Sequence, residues 1–339
     1  MAIAMFILFA NQANATKWRV NSNPSISANF TSLQVAVNSS SVAAGDTLYC
    51  ENGSYFGDVT LTKRLVIIGP GYFLSQNDST HAYPSPAVIN NLTFAPGSSN
   101  STVTGMKIIS NCKIGNSYND TVSNINLLRN RIYNVTFYAN GSSSLENIVI
   151  RQCFIDNSLM LNDNRIKSVY IQNNIIVGNS IHLQPTTGEF SNNTVINDYY
   201  SNTFHAENTN IFNNIIINKN SAASVSANTL STSYNNTFSK NVVDNTSNTT
   251  WPNNYYGATD TDVVSYQGSG DSQYQLKSGS PAIGYGFNGN DCGAFGGSYP
   301  YVLSGLPYMI PHIFDATIPG SANKTDGLNV IIKAKVQNQ

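Results

Sequence analysis

Two of the four histidines, His182 and His205, stand 23 residues apart, and each is followed two positions on by a polar partner, Gln184 and Glu207. An imidazole beside a carboxylate is an acid–base pair, because histidine titrates near neutral pH and glutamate can hold or take its proton. The same groups with amides beside them suit sugar hydroxyls, which need donors and acceptors together. Sugar binding ranks ahead of catalysis on these residue types. The plain alternative is a solvated polar face on which two histidines fall by chance. Tyr138 joins them as a ring for a sugar face, and Asp163 and Arg165 follow in a loop one repeat earlier. These side chains can act together only if the backbone stacks them.

A repeat does so. The segments VINNLTF, IISNCKI, LLRNRIY, IRQCFID, IQNNIIV, FSNNTVI, IFNNIII and SYNNTFS align on Asn91, Cys112, Asn130, Cys153, Asn174, Asn193, Asn214 and Asn236, at spacings of 21, 18, 23, 21, 19, 21 and 22 residues. A recurring period of this size signals stacked coils. Three positions before the column stand Leu127, Ile150, Ile171, Phe190 and Ile211; two after it stand Ile132, Ile155, Ile176, Val195, Ile216 and Phe238. Apolar, mostly β-branched residues flanked by polar ones read as half-buried strands, and segments this short, punctuated by Asn, Gly and Ser, do not read as helices. A later strand has inward columns Phe137, Leu159, Ile181, Phe204, Val225 and Ala139, Leu161, Leu183, Ala206, Ala227. Alternation then puts Tyr138, Met160, His182, His205 and Ser226 in one outward stack, and Asn140, Asn162, Gln184, Glu207 and Asn228 in the next. On consecutive coils the two imidazoles lie about 5 Å apart.

The asparagine column has a physical reason. Asparagine tolerates the left-handed backbone of a sharp corner, and its amide both donates to and accepts from the amide one coil away, as a ladder. Cys112 and Cys153 fill the same column as small buried residues. Two coils separate them, about 10 Å, too far for a disulfide, so they read as free core thiols. The fold class is all-β: a coil with an asparagine ladder, a short N-terminal capping helix and a small C-terminal strand extension.

Only 10% of the 339 residues are charged, and the net charge is -1, against about 25% charged residues in an ordinary domain. Without a Lys/Arg cluster, nucleic acid is not expected as a partner, because that affinity rests on neutralised phosphates. Four scattered cysteines (50, 112, 153 and 292) make no disulfide framework. Residues 1–15 read as an export signal, an apolar run ending in Ala13-Asn14-Ala15, too short to span a membrane. That places the chain outside the cell or on its surface, with residues 16–300 forming the coil and its cap, and 301–339 an extension. Thr31 and Gln34 read as a capping box ahead of a helix that buries Leu33, Ala36 and Val37 over the first coil. The stretch 239–270 reads as irregular coil or surface excursion. After three prolines, GLNVIIKAKVQNQ (327–339) alternates with Val330, Ile332, Ala334 and Val336 on one face.

The SLQVAVN helix, Gly45-Asp46-Thr47-Leu48, Gly53-x-Tyr55, the LVIIGPGY strand and the asparagine column resemble the right-handed parallel β-helix proteins of the pectin-lyase-like superfamily. YQLKSGSPAIGYGFNGNDCGAFGG (274–297) looks like the closing motif S-P-A-I-x-x-G…D-x-G-A-x-G of secreted bacterial members, with Cys292 at its middle position. The resemblance covers about residues 30 to 300 and implies a right-handed coil. It does not choose an activity, since the architecture hosts lyases, hydrolases, adhesins and passive modules. Lyase-type sites there use a calcium-binding carboxylate cluster with a Lys or Arg base, which this chain lacks on any one sheet. Polygalacturonase-type sites need paired Asp, His-Gly and Arg-Ile-Lys; here only Arg165-Ile166-Lys167 is present. Two carboxylates facing one bond are the usual need of glycoside hydrolysis, and Glu207, Asp163 and Glu189 do not clearly share a face. Asp260, Asp262 and Asp271 are oxygen ligands of the kind that hold calcium, and otherwise a polar loop; no other cofactor is implied. Asn-x-Ser/Thr triplets recur, among them Asn29, Asn52, Asn119, Asn134 and Asn248, while Asn91 is expected buried in the ladder. Two functions follow. One is a secreted, non-catalytic coil that binds polysaccharide or surface glycan, or builds an extracellular structure as an oligomer or filament. The other is a polysaccharide lyase or glycoside hydrolase working at His182, His205 and Glu207.

Overall fold

The computed structural model of the chain describes residues 15–55, 57–77, 85–117, 119–139, 141–161, 163, 165–197, 203–218, 237–239, 241–243, 253–308, 310–322, 324–325 and 327–336. The expected export signal lies almost wholly outside them, as do Asn140, Asn162, Val225, Ser226, Ala227, Asn228 and Asn236. The chain winds into a β-solenoid of about seven turns. Its described strands form a ten-stranded and a thirteen-stranded sheet, with parallel pairing between successive coils. Parallel pairing requires a crossover of many residues, and here each crossover is the remainder of one coil.

Leu127, Ile150, Ile171, Phe190 and Ile211 pair in register through the ten-stranded sheet, and all five are buried. Phe238 extends this row rather than the one after the ladder, where Val243 pairs with Ile216. The later strand is slipped by two residues from the expected alignment at its first member. Val135, not Phe137, pairs with Leu159. Thr136 therefore heads the stack Met160, His182, His205, and Tyr138 falls in the next column.

The ladder exists, with different end members. Met106 N donates to Asn130 Oδ1 at 3.0 Å, Cys153 N to Asn174 Oδ1 at 2.9 Å, and Asn174 Nδ2 to Asn193 Oδ1 at 2.9 Å. Asn193 Nδ2 donates to Asn214 Oδ1 at 3.1 Å, and Asn214 Nδ2 to Asn241 Oδ1 at 2.9 Å. Asn241 and then Asn254 continue the row where Asn236 was expected. Cys153 keeps its place because its thiol accepts from Asn130 N at 3.4 Å and donates to Leu127 O at 3.4 Å. Burial pushes that thiol up to about 12. Asn91 and Cys112 are not members. Lys107 lies opposite Arg131, so Met106 holds the ladder position, while Cys112 sits beside Val135 and Leu92 in the core. The lengths of the corner loops vary, and a uniform period read from the sequence slipped by six residues there. All four cysteines are free and buried.

Asn91 starts a second stack instead, and is half-buried rather than enclosed. Asn111 donates to Asn91 at 3.4 Å, Asn134 to Asn111 at 3.1 Å, Asn157 to Asn134 at 2.9 Å and Asn179 to Asn157 at 2.9 Å. Asn100, Asn124 and Asn147 form a third short stack at another corner, all with positive φ. In the second stack the backbones crowd. A Cβ on Gly178 would lie 1.4 Å from Asn157 O. Gly178→Ala is expected to lower unfolding free energy by about 3 kcal/mol or more, since backbone on both sides must move; a urea midpoint equal to wild type would contradict this crowding.

The left-handed residue of the main corner is the one before each ladder residue. Arg129, Gln152, Asn173, Asn192 and Asn213 have φ of 54°, 56°, 54°, 52° and 56°. Their side chains point away from the core and hold the C-terminal segment like a strap along the corner. Asn213 Oδ1 accepts from Phe287 N at 2.9 Å, and Asn192 Nδ2 donates to Asp291 O at 3.4 Å. Asn173 Nδ2 donates to Ala294 O at 3.0 Å, Gln152 Nε2 to Pro300 O at 2.6 Å, and Arg129 Nη1 to Leu306 O at 2.8 Å. Residues 291–296, Asp-Cys-Gly-Ala-Phe-Gly, thus form the middle of the strap. Gly293 is needed because a Cβ there would meet Ile215 Cδ1 at 2.4 Å.

The capping helix spans Leu33–Asn38 and buries Leu33, Ala36 and Val37. Its N-cap is Ser32, not Thr31, with the Ser32 hydroxyl accepting from Val35 N at 3.4 Å. Gln34 does not reach back to the cap: its Oε1 accepts from Thr60 N at 2.6 Å, satisfying an edge-strand donor, and its Nε2 donates to Asn38 Oδ1 at 2.8 Å within the helix. No helix among the described residues is long and apolar enough to cross a membrane. The region after 239 supplies the short strand Val242–Val243 and a helical turn, Asp260–Val263, capped by Thr259. The final strand, Ile331–Val336, pairs antiparallel with Pro311–Thr317. All six of its residues are exposed.

Candidate functional site

Strands Ser180–Leu183 and Thr203–Ala206 carry the imidazoles. Ile181, Leu183, Phe204 and Ala206 point inward and are buried, which forces His182 and His205 outward on the alternating backbone. The register pairs His182 with His205, and their ring centroids are 5.9 Å apart at 43°. Pairing continues past the strand ends, with Gln184 N donating to Leu161 O at 2.8 Å and Glu207 N to Leu183 O at 2.7 Å. Gln184 and Glu207 consequently sit in one column beside the imidazoles.

The side chains close on one acceptor. Glu207 Oε1 lies 3.0 Å from Gln184 Nε2 and 3.0 Å from His205 Nε2. The shared acceptor assigns the His205 proton to Nε2, and the 3.3 Å approach of Gln184 Nε2 to His205 Nε2 is then between two donors. The Gln184 hydrogen bond, with His205 assisting, holds the Glu207 carboxyl below the usual carboxylate range against the opposing effect of burial. Burial, with the neighbouring His205 second, pushes His182 below the ordinary imidazole value, so it is neutral at pH 7. The result is a carboxylate beside two neighbouring imidazole rings on a rigid sheet face. His205 and Glu207 side chains keep 22% and 26% of their surface exposed, so a ligand can reach them.

Of the other sequence-chosen residues, Tyr138 is in the column of Gln184 and Glu207, two coils from Gln184, with Lys113 Nζ 5.6 Å from its ring centroid. Asp163 is taken up by Arg165, 2.8 Å away, which accounts for the lone Arg-Ile-Lys match as a loop tie followed by the buried Ile166. Glu189 lies on the ten-stranded sheet, accepting from Gln172 and Ser191 at 2.6 Å each. A second carboxylate facing Glu207 is thus not supplied by either. The three calcium candidates separate. Asp262 takes part in the Thr259 cap, and Asp260 accepts from Tyr266 Oη at 2.7 Å. Asp271 is fully buried between loops, and no group of three or more His, Cys, Asp or Glu placed to hold a metal occurs among the described residues.

Sequence reasoning passed over a second constellation, built by the left-handed column and the strap. Arg129, Arg151, Tyr299 and Tyr308 line a cleft of about 250 Å³ on the outer face of the ten-stranded sheet. The available signal was a cation at position 129, where later coils carry an amide in the same column. No known family model matches the chain, and no curated protein matches it. The β-solenoid therefore rests on the structure itself.

Proposed function

We propose that the protein is a secreted, non-catalytic β-solenoid that binds polysaccharide or surface glycan through the face formed by His182, Gln184, His205 and Glu207, with Tyr138 at its far end. The observation that carries this reading is the Glu207 acceptor shared by Gln184 and His205, which presents fixed donors and acceptors in a row running along the coil axis. One coil advances about 4.8 Å, so the row suits an extended chain of hydroxyl-bearing units better than a compact ligand. Among the described residues this face offers one carboxylate, Glu207, which argues against hydrolysis by the two-carboxylate route. The apolar N-terminus and low charge support export, and the likeness of the capping helix and closing motif to the pectin-lyase-like superfamily supports a place among extracellular coils. The exposed apolar strand Ile331–Val336 supports self-association of the kind that builds an oligomer or filament.

The test is a glycan array with wild type and His182→Ala/His205→Ala, followed by titration of the best glycan. Loss of about tenfold or more in affinity with an unchanged melting temperature is expected. Equal binding by both proteins would remove the face from the site. The enzymatic reading has one observation in its favour, the 3.0 Å His205–Glu207 pair, and it predicts that wild type shortens the glycan it binds while Glu207→Gln does not. Sedimentation at rising concentration tests the association.

A further inference from the structure

The cleft between the ten-stranded sheet and the strap is a second site, with an electrostatic character unlike the first. Arg129 is only 4% exposed. Its Nε donates to Gln152 Oε1 at 2.9 Å and its Nη1 to Leu306 O at 2.8 Å, both neutral acceptors. Its Nη2 has no hydrogen-bond partner among the described residues. One coil away, Arg151 directs Nε and Nη2 to the same neutral oxygen, Gln172 Oε1, at 3.0 and 2.5 Å. The nearest carboxylate along that chain is Glu189, on the far side of Gln172. Neither guanidinium has a carboxylate within 4.0 Å among the described residues.

A buried guanidinium without a counter-ion is costly, and the cost is relieved when an oxyanion enters. Burial opposes the charge on both residues, lowering each below its ordinary value, yet both remain charged at neutral pH. The walls add a shape requirement. The Arg151 guanidinium lies 3.8 Å from the Tyr299 ring centroid; Tyr299 is 47% exposed, and Tyr308, which lines the same cleft, is 44% exposed. Two open tyrosines in one cleft with two cations suit a flat-sided ring that carries an anionic group.

We propose that this cleft binds a sugar ring bearing an oxyanion, carboxylate or sulfate, with Arg151 and Arg129 on the oxyanion and Tyr299 and Tyr308 against the ring. This site is independent of the histidine face and does not rest on its glycan reading.

Calorimetry with the full chain tests it, using a glucuronate-containing oligosaccharide, a sulfated galactose oligosaccharide, a neutral oligosaccharide of equal length and inorganic phosphate. Either of the first two is expected to bind, with affinity falling as salt rises. Arg151→Gln and Tyr299→Ala, both at partly exposed side chains, are expected to weaken that binding about tenfold or more each. His182→Ala/His205→Ala is expected to leave it unchanged, which separates failure of this site from failure of the histidine face. Arg129→Met adds a further loss where its far-ultraviolet spectrum matches wild type. No binding of either acidic sugar, equal binding by the folded Arg151→Gln protein, or phosphate binding as tightly as the acidic sugars would each overturn the proposal.

Discussion

Asn174→Ala is expected to lower unfolding free energy by about 3–5 kcal/mol, since two buried groups lose partners and a small cavity opens. Asn174 is fully buried. Its Oδ1 accepts from Cys153 N at 2.9 Å, and its Nδ2 donates to Ile150 O at 2.9 Å as well as to Asn193 Oδ1. Truncation orphans the Cys153 amide and the Ile150 carbonyl in a place water does not reach. Asn174→Asp is expected to be at least as harmful, because a carboxylate would offer an acceptor where the Ile150 carbonyl requires a donor. Cys153→Ala is the control. It removes only weak sulfur hydrogen bonds, at 3.4 Å, and its expected loss is about 1–2 kcal/mol. Urea unfolding followed by far-ultraviolet dichroism gives the three values. An Asn174→Ala protein within about 1 kcal/mol of wild type would show that the ladder contributes little beyond shape.

Asp271→Ala is expected to lower unfolding free energy by a similar amount, about 3–5 kcal/mol, by removing an acceptor shared by three buried donors. The carboxylate accepts from Asn77 Nδ2 at 3.0 Å, Tyr301 Oη at 3.0 Å and Ser304 N at 2.7 Å. Tyr301 Oη also lies 2.7 Å from Tyr72 Oη. The network ties an early loop (72–77) to the end of the strap. Limited proteolysis after residue 299 is expected to accelerate in the variant. The residue also imposes a pH dependence of definite sign. Burial raises its folded-state value above the ordinary carboxylate value despite the three donors. The folded chain therefore binds this proton more tightly than the unfolded chain. Stability from this residue is greatest below the ordinary carboxylate value and falls as pH rises through the raised one. Other carboxylates, Glu51 and Asp58 among them, are shifted down by hydrogen bonds and slope the opposite way. The difference between wild type and Asp271→Asn isolates the effect: the stability of wild type relative to the variant should decline as pH rises through that window. A difference independent of pH would refute it.

The coil was legible because its code is local. Alternation within a strand reports which face a residue takes, and one coil length reports what lies above and below. On those two facts Leu127, Ile150, Ile171, Phe190 and Ile211 were placed in one buried row, and His182 was placed over His205. The same code failed where loop length changed. Between the coils of Met106 and Asn130 the spacing is 24 residues, between Asn214 and Asn241 it is 27, and between Asn241 and Asn254 it is 13. A uniform period misplaced Asn91, Cys112 and Phe238, and it carried Tyr138 into the wrong column. The helix cap missed by one residue because Thr31 and Ser32 are both competent caps, and only packing against the first coil chooses between them.

The amino-acid sequence by itself determined the β-solenoid, its apolar interior, a row of buried amides and the stacked imidazoles with Gln184 and Glu207 beside them. Tertiary structure alone decided the register of the first coils, the use of the left-handed column to hold the strap, the burial of Asp271 and the cleft that joins Arg129 and Arg151 to Tyr299 and Tyr308. Repetition and alternation act over one coil and leave a periodic trace. Contacts such as Arg129 to Leu306, 177 residues apart, and Asn77 to Ser304, 227 apart, form once. A contact made once has no period, so its partners become visible only when the chain has closed on itself.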